Sequence, residues 1–363
     1  MGTNRVKHID IAKGISITLV VLLHSQLAPY IYFLTEPLSL VRMPLFFFLS
    51  GLFFSTSLRP TIFTLQKADS LLKPYATVLT IALLCSYFFF NDGNLLRSLA
   101  YVAYGNGLTL ERSLGWSWVP LWFLPHLFLV YLFCYLLQKY LKYNVLSTHL
   151  KFVIVISLVV LGNVSIDMFM EKEFTFLGIS IVLPGLPFSA DILFLTSSFF
   201  LAGALLKRYI VTFKFNIYLT FICLLLFVSI SEFTNANILL NARVFTSPFL
   251  AVIAALCGIY IILTISLIIS KRSWLSYVPS TFGSASLYIL LFHSIIDNTV
   301  YRELSLENEG IGVSVTKATV AFFLSLVLPL FFKRVIEKNI VLSLGFVAFK
   351  NNRLLQHRAR GEV

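Results

Sequence analysis

Lys13 and His24 stand eleven positions apart in one apolar stretch, Ile11 to His24, and pair a cation with a group that exchanges protons near neutral pH. In a helix, eleven steps of about 100° return to nearly the same face, and the rise of 1.5 Å per residue separates the two by roughly 16 Å. One face then carries a positive charge at a membrane edge and a proton acceptor deep inside. Ionisable residues in a membrane segment are functional candidates by default. Taken singly, Lys13 reads as a snorkelling anchor and His24 as an interhelical hydrogen bond. The spacing favours chemistry.

The elements that must position this pair are membrane helices. The chain is 58% hydrophobic and only 12% charged, with a mean hydropathy of +0.88, whereas a soluble domain carries roughly 25% charged residues. At about 20 residues per span, the 363 residues accommodate about ten helices with short loops and leave no room for a soluble catalytic domain. The expected class is all-α and polytopic, with spans near 11–31, 38–58, 74–90, 119–138, 152–169, 188–206, 215–232, 246–269, 281–299 and 313–332. Ionisable groups at corresponding depths would also suit a glycan transporter or flippase, but such proteins commonly carry internal repeats, and none is evident.

The net charge of +12 is a topology signal. One set of alternate segments holds Lys7 and Lys13, then Arg59, Lys67 and Lys73, then Lys139, Lys142 and Lys151, then Lys207, Arg208 and Lys214, then Lys271 and Arg272. Arg5 precedes this set, and Lys333, Arg334, Lys338, Lys350, Arg353, Arg358 and Arg360 follow it in a basic tail over about 333–363. The opposite segments hold most of the carboxylates, from Glu36 to Glu309. The positive-inside rule places the basic segments and both termini in the cytoplasm, with an even number of spans. Because the cations spread over every inner loop and form no single patch, nucleic acid is not an expected partner.

One membrane domain over 1–363 is the economical description, with its first span retained as a signal anchor. Cys85, Cys134, Cys223 and Cys257 all fall inside expected spans without metal-ligand spacing, so no metal is expected. The sequence sets no oligomeric state.

Further polar residues converge on one depth. His293 lies about 18 Å from the inner edge of the ninth span, and His126 about 10 Å from the outer edge of the fourth, in a core about 30 Å thick. Arg42, Asp191 and Asp297 are expected slightly above this layer. Asp297 or Asp191 could orient an imidazole or bind hydroxyl groups, and Arg42 could stabilise an oxyanion or simply pair with an acid. Trp122 suits either a sugar-stacking face or the interfacial aromatic belt. Segment 91–118 is the longest outer loop, and loops of that length are often functional.

The stretch Ile9-Asp10-Ile11-Ala12-Lys13-Gly14 through His24-Ser25, followed by Met43-Pro44-Leu45-Phe46-Phe47-Phe48-Leu49-Ser50-Gly51, resembles the membrane-bound acyltransferase family 3, which begins with Arg or Lys, ten residues, then His. Leu121-Trp122-Phe123-Leu124, the region of Gly203, and Ser286-Leu287-Tyr288-Ile289 through His293 extend the likeness along the chain. The opening is most similar to the branch related to fucose 4-O-acetylases. Lys13 stands where many members have Arg, which keeps the charge but loses the bidentate fork. Val41-Arg42 stands where related members often carry an aromatic residue and a histidine.

The resemblance implies transfer of an acyl group, usually acetyl, from a cytoplasmic coenzyme A thioester to a hydroxyl of an extracytoplasmic glycan or glycolipid. Acetyl-CoA is then a substrate, and the protein's surroundings are membrane lipids, those of the bacterial inner membrane. A succinyl-type transfer is the alternative within the family. The first span suits the donor, because a cation at the inner edge could hold a phosphate while the thin, nearly uncharged pantetheine arm reaches upward. His24 would remove the proton from the attacking hydroxyl and return it to the departing thiolate. No Gly-Asp-Ser nucleophile motif is present.

Overall fold

Hydrocarbon offers a backbone no hydrogen-bond partner but itself, and the apolar stretches accordingly fold as helices in the computed structural model, which describes residues 6–90, 95–176, 179–304 and 310–352. The first two are α1 (Lys7–His24) and α2 (Tyr32–Leu52), joined by a 3-10 turn over Ala28–Ile31. Next come α3 (Pro60–Lys67), a π-turn over Ala68–Leu72 and α4 (Lys73–Phe90). Two short helices follow, α5 (Leu95–Tyr104) and α6 (Gly107–Leu114), and a 3-10 segment over Trp116–Trp122 then leads into α7 (Phe123–Tyr140).

The second half begins with α8 (Thr148–Phe169) and the antiparallel hairpin of β1 (Met170–Phe176) and β2 (Ile179–Pro184). A 3-10 segment over Pro187–Ile192 opens α9 (Leu193–Val211), after which α10 (Ile217–Phe233) and a second hairpin, β3 (Asn237–Leu239) with β4 (Val244–Thr246), lead to α11 (Pro248–Ser270). The chain continues through α12 (Ser273–Ser284), α13 (Ser286–Glu303), α14 (Ile311–Lys338) and α15 (Ile340–Phe346).

Each expected span therefore holds a helix, and among the described residues the architecture is all-α apart from two small hairpins. Seven helical runs among the described residues are long and apolar enough to cross a membrane, and α12 with α13, bent by 82°, would make an eighth. α10 is a shorter apolar helix, and α1 carries Lys7, Asp10 and Lys13 in its first half. Arg5, Asn91 to Asn94, Glu309 and the tail residues Arg353, Arg358 and Arg360 lie outside the described residues.

The boundaries depart from expectation in informative ways. The first span, expected to reach 31, ends at His24, with Ser25 extended behind it. The second begins at Tyr32 rather than 38, because Pro37 lies inside α2 instead of marking its start. Such a proline is tolerated in a membrane helix when neighbouring groups re-satisfy the freed carbonyl. Arg42 consequently sits midway along α2, deeper than the outer start assigned to it. The segment with Lys67 and Lys73, expected as an inner loop, is helical through a π-turn, and segment 91–118, expected as an outer loop, contains α5 and α6.

Two close approaches lock the layers around the site. α1 lies on α12 so tightly that a Cβ on Gly14 would stand 1.8 Å from the Pro279 carbonyl oxygen, and one on Gly283 would stand 2.2 Å from that of Asp10. α2 meets α9 in the same way through Gly51 against Phe200 and Gly203 against Phe48. Small residues at these crossings let backbones pack at van der Waals distance, which replaces the hydrophobic driving force that lipid removes.

Candidate functional site

α1, α2, α7 and α13 line two cavities, one at each end of the Lys13 to His24 stripe. The lower cavity, about 240 Å³, is walled by Lys13 and Ser16 of α1, by Phe46, Leu49 and Ser50 of α2 with Phe53 just past its end, by Tyr131 of α7, and by Ser286 of α13 with Gly283 of α12. The upper cavity, about 20 Å³, is walled by Val20 and His24, by Met43 and Phe46, by Trp122 and Phe123, and by Leu290, with Pro120 closing it. Each of the four helices contributes first to one cavity and then, one to three turns along, to the other. The two spaces therefore stack along the helix axes. The periodicity is the reason: on α1, Lys13, Ser16, Val20 and His24 fall at i, i+3, i+7 and i+11 and share a face.

The lower end is cationic and aromatic. Lys13 Nζ lies 4.7 Å from the Phe53 ring centroid, and Lys207 Nζ from α9 approaches the same ring at 5.9 Å. Lys67 Nζ sits 3.4 Å over the Tyr131 ring. The aromatic faces hold these ammonium groups near the opening by cation–π attraction. Ser16 Oγ is buried without a hydrogen-bond partner among the described residues.

The upper end gathers ionisable groups from three helices. The His24 and His293 rings approach edge to face with centroids 5.8 Å apart, and Trp116 flanks His24 at 6.1 Å. His293 Nδ1 reaches the Ile289 and Leu290 carbonyls at 2.9 and 3.1 Å. A carbonyl only accepts, so Nδ1 carries the proton and Nε2 the lone pair. That Nε2 and His24 Nδ1 are both buried with no partner among the described residues.

One turn beyond His293, Asp297 uses Oδ2 to accept the backbone N–H of Gln26 at 2.8 Å, while its buried Oδ1 has no partner among the described residues. Gln26 Nε2 donates to Asn298 Oδ1 at 2.6 Å, and Asn298 Nδ2 to Ser117 Oγ at 2.7 Å. This relay ties the chain leaving α1 to α13 and to the segment before α7, and so fixes the end of the helix that presents His24. Arg42 is buried, is near enough to act on His24 electrostatically, and makes no ion pair with a described carboxylate.

His126 and Asp191 belong to a separate polar cluster. His126 Nδ1 donates to the Phe188 carbonyl at 3.0 Å, leaving Nε2 to accept from the Thr196 hydroxyl at 2.9 Å. Both ring nitrogens are thus occupied. Asp191 pairs with Arg243, with Nε to Oδ2 at 2.8 Å and Nη2 to Oδ1 at 3.4 Å, and both side chains are fully buried. Asp191 Oδ1 also accepts the Leu186 N–H at 2.8 Å, and Arg243 Nη2 reaches Ser189 Oγ at 3.2 Å. Phe188, Ser189 and Arg243 all take left-handed backbone angles, and this clamp holds two loops in that strained form. Trp122 and Phe47 separate the cluster from the upper cavity, their rings 5.4 and 5.6 Å from His126.

A family model described as an acyltransferase domain matches residues 6–334, nearly the whole chain. The chain belongs to acyltransferase family 3. No curated protein and no solved structure matched it. The matched range takes in every residue that lines either cavity and ends within α14.

For this acyltransferase, the structure joins His24, His293 and Asp297, with Arg42 and Trp122 beside them, and sets Lys13 at the other end. It places His126 and Asp191 behind Trp122. Sequence reasoning missed Gln26, Asn298, Ser117 and Arg243. Arg243 left one trace, as one of six cations in the segments that hold most of the carboxylates. The amides left none, since their role follows from where α1 ends.

Proposed function

We propose that this protein is an inner-membrane O-acyltransferase that carries an acetyl group from cytoplasmic acetyl-CoA to a hydroxyl of a surface polysaccharide or its lipid-linked precursor. The observation that carries this reading is the stacking of two cavities along α1, with a cationic opening at Lys13 and an imidazole at His24. Lys13, Lys207 and Lys67 around the lower opening suit a polyanionic nucleotide, and the cavity above them suits a thin arm. Lys13 to His24, roughly 16 Å along a helix, then measures how far a thioester must rise.

In the transfer step, His24 takes the proton of the attacking hydroxyl as its oxygen adds to the thioester carbonyl. The tetrahedral intermediate collapses by breaking the C–S bond, and His24 returns the proton to the thiolate, giving an O-acyl ester and free coenzyme A. A positioned general base of this kind contributes typically 10²–10⁴-fold. Arg42 would supply a positive charge to stabilise the oxyanion. His293 Nε2 and Asp297 Oδ1 present acceptor atoms to the hydroxyl groups of the entering sugar.

The test supplies labelled acetyl-CoA to membranes containing the full chain and measures label in surface glycan and release of coenzyme A. Label and release are expected together. Glycan crossing the membrane without thioester consumption would make the protein a transporter, and transfer of succinyl but not acetyl would change the donor.

A further inference from the structure

Phe46 is the residue that both cavities share. It interrupts a run of buried residues on α2 with a half-buried side chain, because its face of the helix borders open space. Its ring stands edge to face with Phe123 at 4.6 Å, and Phe123 also walls the upper cavity. The volume is very unequal on the two sides of this aromatic pair, about 240 Å³ below and about 20 Å³ above. The upper figure is room for about one water-sized group.

We propose that Phe46, set against Phe123, limits the acyl group this enzyme accepts to acetyl size. The inference rests on the donor reading above. In a thioester rising from the Lys13 side, the acyl group leads and the sulfur follows. The acyl group must therefore pass Phe46 and occupy the space beside His24, while the arm stays in the larger cavity. An acetyl group ends one carbon beyond the carbonyl. Each further methylene would have to displace Met43, Trp122 or Leu290, all of which pack in the core, and forcing extra methylenes into packed surroundings is destabilising.

Ser50 steadies this arrangement from below, its Oγ donating to the Phe46 carbonyl at 2.8 Å. Removing the Phe46 ring would merge the two spaces.

Displacement of labelled coenzyme A from the detergent-solubilised full chain by acetyl-CoA and butyryl-CoA tests this without an acceptor. Pocket discrimination runs at roughly tenfold or more per misplaced methylene, so the wild type should bind butyryl-CoA at least that much more weakly than acetyl-CoA. Phe46→Ala should bring the two affinities close together. Phe46→Leu, a milder change should the alanine variant fail to fold, should lower the ratio partway. Leu290→Phe, which fills the upper cavity and leaves Phe46 in place, should weaken acetyl-CoA relative to coenzyme A itself.

Equal binding of the two thioesters by the wild type, or undiminished discrimination in Phe46→Ala and Phe46→Leu, overturns the proposal alone. A wild type that binds no coenzyme A species overturns the donor reading and this inference with it.

Discussion

The imidazole of His24, the last residue of α1, meets that of His293 on α13 edge to face at 5.8 Å, and each ring holds one buried nitrogen without a partner among the described residues. Buried polar atoms are nearly always hydrogen-bonded, so two such nitrogens in contact rings mark a place that expects another molecule. His24→Ala is expected to lower transfer by about 10²–10⁴-fold with the protein still in the membrane. His293→Ala should also impair transfer, by less, because its backbone-bonded Nδ1 leaves Nε2 suited to holding a hydroxyl. Rates of coenzyme A release in matched membranes check both; near-normal acetylation with His24→Ala would sink the mechanism.

Asp297 separates positioning from substrate contact. Asp297→Asn keeps an oxygen to accept the Gln26 N–H, whereas Asp297→Ala leaves that donor unpaired at a cost of roughly 1–3 kcal/mol. The alanine variant should therefore lose both thermal stability and transfer, and the asparagine variant mainly transfer. Melting in detergent alongside transfer rates distinguishes them, and equal behaviour of the two variants would refute the division.

Lys13 is expected to act on the donor. Lys13→Ala should raise the acetyl-CoA concentration needed for half-maximal transfer by about tenfold, the effect of about 1.4 kcal/mol. Lys13→Arg, which keeps the charge, should recover most of it. Unchanged donor dependence in Lys13→Ala removes the phosphate-binding role.

The Asp191 and Arg243 pair should matter to stability. Removing one partner of a buried pair leaves an uncompensated charge and costs about 3–5 kcal/mol. Asp191→Ala should lower the melting temperature sharply, and the double change Asp191→Leu with Arg243→Met should restore much of it. A double variant no more stable than Asp191→Ala would show that the pair is not what holds the two loops.

Gly283→Val tests the close crossing of α1 and α12. A side chain there meets the Asp10 backbone, so α1 must shift, at about 1–3 kcal/mol by analogy with overpacked cores. Because α1 carries both Lys13 and His24, transfer should fall more than for Gly312→Val, where a Cβ meets nothing within 4 Å. Equal effects would argue against the crossing as the support of the site.

Much of the fold was legible because lipid leaves so few alternatives: an apolar run of twenty residues must be helical, and all ten expected spans hold a helix. Periodicity alone put Lys13 and His24 on one face of α1. Depth was a weaker guide. It placed His126 and His293 in one layer, yet His126 spends both nitrogens on Phe188 and Thr196, while His293 meets His24. A rotation of α7 about its axis changes neither depth nor hydropathy, so the sequence had no means to tell inward from sideways.

By itself the sequence determined the class, the helical spans, the family and the charge-to-imidazole spacing, because each depends on local composition or on the 3.6-residue repeat. The tertiary structure alone decided which polar groups meet. It ended α1 at His24, stacked two cavities along α1 and α2, gave Asp297 to Gln26 and gave Asp191 to Arg243. Those outcomes depend on helix rotation, on glycine crossings and on pairing across 52 and 271 residues, and no local pattern along the chain encodes them.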